Sequence, residues 1–176
     1  DTPLLYFSNS DRKEADSLPE KLTTEHYVVV TKLLYKLENS EDFEGKDTYL
    51  QRLTAAKSQI EALQEEIDAI NAEVLEKLYP FDSISLGDKA VVDSIVDRYN
   101  ALSEYDRAKI NRWEDVIKTK TKIDNLLRGI IIAVVLVIVA AGVTVFVVLH
   151  IRKRRRSKRL AMEELAEQYA DEDDES

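Results

Sequence analysis

The side chains able to do chemistry are few and scattered. The sequence holds two histidines, His26 and His150, and no cysteine. A disulfide, a thiolate metal site and a thiol nucleophile are therefore excluded. His26 falls near a helix start and reads as a surface residue; His150 falls at the edge of an apolar run and reads as part of its flank. The paired acids Glu65-Glu66 and Glu114-Asp115 read as solvated helix faces, no glycine-rich phosphate loop is present, and the serines lack a neighbouring base. The expectation is a protein that is not an enzyme, with no catalytic residue, no cofactor and no metal. Trp113 and Tyr105 are expected in a bundle core. Lys118, Lys120 and Lys122 alternate along a helix, so consecutive members stand about 200° apart and form no single face.

One stretch stands out for charge. His150-Ile151-Arg152-Lys153-Arg154-Arg155-Arg156-Ser157-Lys158-Arg159 carries seven basic residues: Arg152, Lys153, Arg154, Arg155, Arg156, Lys158 and Arg159. It follows directly on Gly129 to Leu149, GIIIAVVLVIVAAGVTVFVVL, which has no charge and only Thr144 for a hydroxyl. Such a run is about 31 Å long as a helix, close to the roughly 30 Å hydrocarbon core of a bilayer. The basic excess behind it predicts a cytosolic C-terminus and an extracellular N-terminus in a cell membrane. The run is expected to act as a stop-transfer anchor that contacts anionic inner-leaflet lipids. Gly129, Ala133, Ala140 and Gly142 are small residues of the kind that let two helices approach closely. Such residues are also common in any span, so a homodimer through them is not the favoured expectation.

The totals fit this division. The chain has 176 residues and a net charge of −9. Before the span the count is 18 basic and 26 acidic residues, and the tail adds a basic block and then an acidic end. An acidic exterior argues against nucleic acid as a partner. With no disulfide and no Asn-x-Ser/Thr acceptor, the exterior leans towards a bacterial surface. The chain opens on Asp1 rather than Met and reads as the C-terminal piece of something longer.

The elements that would position these residues are helices. Four Gly and three Pro in the whole chain leave few turns. Val30, Leu33, Leu34 and Leu37 make one face of a helix over about 24–39. A loop from Glu38 to Gly45 follows, then a long helix from about Asp47 to Tyr79 carrying Leu53, Ala56, Ile60, Leu63, Ile67, Ile70 and Val74 at spacings of three and four. Pro80 ends it. Ser85 is expected to cap a third helix with Val92, Ile95, Val96 and Tyr99 on its face. Ser103 to Asp106 reads as a short capped turn, and a fourth helix is expected from near Asn111. In the tail the helix should run to about Tyr169, with Arg159 and Glu163 as an i,i+4 pair and a disordered acidic end.

Laid on itself with a shift of 61 to 63 residues, the chain repeats. Leu18-Pro19 falls on Tyr79-Pro80, Leu22-Thr23 on Ile84-Ser85, and Val30, Leu33, Leu34 and Leu37 on Val92, Ile95, Val96 and Tyr99. Phe43 meets Tyr105, and Leu50, Leu53, Lys57, Ile60 and Leu63 meet Trp113, Val116, Lys120, Ile123 and Leu126. The expected fold is all-α: elongated tandem helical-bundle repeats sharing a long helix, plus a single transmembrane helix. Its parts are a frayed polar segment (1–17), repeat units at 18–79 and 80–128, a span at 129–149 and a tail at 150–176. Sharing one helix between neighbours predicts a stiff rod.

The second unit, with Ile84-Ser85-Leu86-Gly87-Asp88-Lys89, Val92, Ile95, Tyr99-Asn100-Ala101-Leu102-Ser103 and Asn111, resembles a helical repeat of Gram-positive cell-surface proteins. The resemblance covers about residues 17–128. The first unit departs from the pattern, with Leu37 in place of the tyrosine and Glu44-Gly45 in the loop. The resemblance implies a membrane-proximal stalk that displays more N-terminal domains, with no catalytic residue to carry over. The family's usual Leu-Pro-x-Thr-Gly wall-sorting signal is absent, which leaves anchoring to the span. The competing class is a type I single-pass signalling or assembly subunit, in which ectodomain and helix couple to a cytosolic partner of the tail.

Overall fold

The structure is a computed structural model that describes the backbone of residues 5–174 and the side chains of residues 5–163. Among the described residues it is helical with no strand beyond one isolated bridge, Leu5 to Ser40. The chain divides into two compact units, Asp1–Ile123 and Asp124–Ser176.

Within the segment expected to fray, the described residues of the first unit form a capped helix. Helix α1 (Asn9–Asp16) starts at a capping box: the Ser8 hydroxyl accepts from the Asp11 amide, and the Asp11 carboxylate accepts from the Ser8 amide. That pairing supplies partners for donors that a helix start leaves open. Phe7, 1% exposed, stacks on Phe43 with ring centroids 5.8 Å apart. Lys36 pairs with Asp11 at 2.7 Å and ties α1 to the next helix. Residues 1–4 of the segment read as frayed lie outside the described residues.

A single 3-10 turn, Thr24–His26, leads into α2 (Tyr27–Glu38), which buries Val30, Leu33, Leu34 and Leu37 as its spacing predicts. Gly45, at φ 88°, makes the left-handed turn into α3 (Lys46–Glu73). A π turn, Val74–Leu78, completes that helix up to Pro80. After a 3-10 turn at Phe81–Ser83, another at Leu86–Asp88 leads into α4 (Lys89–Ala101) in the same manner as Thr24–His26 leads into α2, within the shift read from the sequence. After the short α5 (Glu104–Arg107), the last helix α6 (Trp113–Asp174) opens two residues later than expected. Arg112 stands at φ 56°, which keeps Asn111 and Arg112 out of the helix.

Apolar burial forms two cores. One gathers Phe7, Ala15, Val30, Leu33, Leu34, Leu37, Leu53, Ala56 and Ile60. The other gathers Ile67, Ile70, Val74, Leu78, Ile84, Val92, Ile95, Leu102, Ile110, Val116 and Ile123. Helix α3 supplies both, its first half to one and its second half to the other.

The second unit is the remainder of α6. It continues past Tyr169 to Asp174, where disorder was expected. The stretch after Arg159 is built largely from Leu, Ala, Met, Glu and Gln, strong helix formers, and has no Gly or Pro to stop it. Residues 175–176 of the expected disordered end lie outside the described residues.

Candidate functional site

The feature with no role inside the fold is the apolar stretch of α6. Every residue of 129–149 is exposed; Leu136 is 63%, Val137 69% and Phe146 70% accessible. This is the one helix among the described residues long and apolar enough to cross a membrane, and none of its apolar window is buried. A core helix of a water-soluble protein would bury at least one face. Thr144 donates its hydroxyl to the Ala140 carbonyl at 2.8 Å, so the single side-chain hydroxyl of the stretch is satisfied within its own helix. That arrangement suits a hydrocarbon surrounding, where an unpaired polar group is costly.

The small residues do not all gather. At about 100° per residue, Gly129, Ala133 and Ala140 share one face, while Gly142 lies on the far side. A Cβ added at Gly129 or Gly142 would meet nothing within 4 Å, so no neighbour in the chain requires glycine there.

The basic residues are all exposed. The same helical arithmetic spreads Arg152, Lys153, Arg154, Arg155, Arg156, Lys158 and Arg159 around the whole circumference. They form a collar one turn beyond the apolar stretch, not a stripe aimed at one partner. The His150 ring stacks near Phe146 at 6.2 Å.

In the first unit the residues singled out for chemistry serve the fold. His26 closes a capping box: its Nδ1 accepts from the Thr23 amide at 3.1 Å. Asp88 does the same for Ser85 at 2.8 Å. Glu65 is exposed as expected, but Glu66 is only half-exposed and is not left to solvent alone. It joins Glu73 in clamping Arg98, at 2.6 and 2.5 Å, so the guanidinium bridges two turns of the long helix from α4. Glu114 is exposed, and Asp115 stands 4.0 Å from Lys118. Lys120 leaves the lysine triplet to pair with Asp93 at 2.7 Å. Trp113 is half-buried and stacked on Tyr99 at 3.5 Å. Tyr105 departs from the expected core: it is 45% exposed and takes Lys109 over its ring, because α5 turns it outward from the loop.

The sequence reading missed Asp106, which is fully buried. It accepts from the Thr24 amide at 3.1 Å, the Thr24 hydroxyl at 2.5 Å and the Ser103 hydroxyl at 2.7 Å. Lys109 donates to the Thr24 hydroxyl at 2.7 Å. Burial pushes the Asp106 carboxyl up, but the hydrogen bonds from Thr24 and Ser103, with Lys109 nearby, outweigh it and hold the group below the usual carboxylate range. Ser103-x-x-Asp106 was a legible cap; its partner 82 residues away was not. Among the described residues no group of three or more His, Cys, Asp or Glu is placed to hold a metal ion. No family model matches the chain, and no curated protein and no solved structure matches it.

Proposed function

We propose that this chain is the membrane-proximal helical stalk and C-terminal membrane anchor of a bacterial surface protein, holding more N-terminal domains away from the cell. The observation that carries the anchor is the stretch 129–149, apolar and exposed on every face, with a basic collar directly behind it. The charge asymmetry supports an extracellular N-terminus and a cytosolic tail, with the collar against anionic inner-leaflet lipids. The stalk rests on two cores drawn from successive halves of α3 and on the paired capped turns at Thr24–His26 and Leu86–Asp88. Those features support tandem helical units that share a helix, as does the resemblance to Gram-positive surface repeats.

The chain has no cysteine of its own, which makes the topology directly testable. A Ser10→Cys variant should react with a membrane-impermeant maleimide in intact cells. A Ser157→Cys variant should react only after permeabilisation. The opposite pattern would overturn the orientation, and release of the chain by alkaline carbonate would overturn the anchor.

A further inference from the structure

Between the start of α2 and the middle of α3 lies a cleft of about 530 Å³ whose two walls differ in chemistry. One wall is acidic: Glu61, Glu65 and Asp68 follow one another at spacings of four and three along α3 and make a stripe on one face. The other is apolar, with Tyr27 41% and Val28 71% exposed, and Ile60 reaches the cleft from the first core. We propose that this cleft receives a basic, partly apolar segment of a partner protein: lysine or arginine along the carboxylates, and apolar side chains on Val28 and the Tyr27 ring.

The charges in the cleft are poorly answered from within the chain. Lys57 stands 3.4 Å from Glu61. Gln64 donates to Asp68 at 3.0 Å without bringing a charge. Among the described residues, Glu65 and Asp68 have no cationic partner. Lys109, the one base lining the cleft, is committed to the Thr24 hydroxyl and the Tyr105 ring. Glu61 and Glu65 are a like-charge i,i+4 pair, which costs a helix stability until a cation lies between them. Along the helix axis Glu61 and Glu65 are about 6 Å apart, near the roughly 7 Å between alternate side chains of an extended strand, and Glu65 and Asp68 about 4.5 Å. Alternating cations and apolar residues therefore present the cations to α3 and the apolar residues to α2. Tyr27 adds a ring face that accepts a guanidinium. Within the chain, Lys36, Arg52, Arg98 and Lys120 are each held by carboxylates outside the cleft.

The inference goes beyond the stalk and anchor and does not depend on them. Its test uses the full chain in phosphatidylcholine nanodiscs and a fluorescent hexapeptide of alternating arginine and leucine, read by anisotropy against empty discs. Saturable binding is expected, weakened at least tenfold by the E65Q/D68N double change and severalfold by Val28→Ser. Removing two charges elsewhere, with E41Q/E44Q in the exposed loop, should change affinity less than twofold. Equal losses from the two double variants would overturn the proposal as bulk charge attraction. So would binding no greater than to empty discs, or equal binding of the hexapeptide with glutamate in place of arginine.

Discussion

The Thr24 hydroxyl and the Asp106 carboxylate meet at 2.5 Å across 82 residues of sequence, with the carboxylate fully buried. Thr24 opens the turn before α2, and Asp106 sits in α5, between α4 and α6. The pair joins the start of a helix that fills the first core to a loop that borders the second. Neither side chain contributes apolar area to speak of. What they supply is direction: Asp106 completes the first turn before α2 with an acceptor drawn from the far end of the same unit.

Asp106→Ala should cost about 3 kcal/mol, because it leaves the Thr24 amide and hydroxyl buried without an acceptor. Asp106→Asn should cost nearly as much despite its shape, since its amide turns donors towards donors. The hydrogen bonds favour the ionised form and hold the carboxyl below its usual range against the burial that raises it. Its contribution is therefore complete above the ordinary aspartate value of about 3.9 and is lost as pH falls through the folded value. Urea unfolding of the full chain in detergent, followed by the fluorescence of Trp113, would measure both effects. Wild-type stability at neutral pH in the asparagine variant would rule out this account.

Matched core positions offer a test of the repeat. Leu33 and Ile95 are each fully buried and lie in different cores. Truncating either to alanine should cost about 2–5 kcal/mol. If the two cores are separate helical units, Leu33→Ala should speed amide exchange mainly in α1, α2 and the first half of α3. Ile95→Ala should speed it mainly in the second half of α3, in α4 and in α6 up to Ile123. Uniform acceleration by both would mean a single cooperative core instead.

The apolar faces of α2, α3 and α4 were legible because burial follows helical period, and Val30, Leu33, Leu37, Val92 and Ile95 are buried as that period requires. The apolar run 129–149 was legible from composition alone. Helix α1 was not. It is short and polar, and its signal lies in Ser8-x-x-Asp11 and in Phe7, which a search for apolar period does not register. The long-range polar contacts were hidden for a different reason. Glu66 looks the same in sequence whether it is solvated or clamps Arg98, and nothing local distinguishes Asp106 from a cap that ends its work at Ser103.

The N-terminal attachment should be acid-sensitive in a narrow window. Burial raises the Asp11 carboxyl, but the Lys36 ammonium and the Ser8 hydroxyl and amide outweigh it and bring the group down to about 2. The stabilisation it gives is present above about pH 4 and is lost as pH falls towards 2. Lys36→Met removes the strongest of the favourable partners. Titration followed by NMR of the Ser8 and Asp11 amides should find the α1 transition moved upward, towards pH 4, in that variant. An unchanged midpoint would assign the low value to the capping box alone.

The apolar stretch gives the sharpest test of what surrounds it. Val139 lies at its centre and is 56% exposed, with no packing neighbour to lose. In water, Val139→Arg would then be neutral or helpful to solubility. In a bilayer it places a charge at mid-depth, which costs about 2.5–3.5 kcal/mol of insertion free energy. The same arginine at residue 151, just past the apolar stretch and next to the collar, should cost almost nothing, because a long side chain there reaches the headgroups. The measurement is the membrane-integrated fraction after carbonate extraction, for Val139→Arg against Ile151→Arg. A marked loss for the first with none for the second is expected of a span, and equal retention of both would mean the stretch does not cross the hydrocarbon.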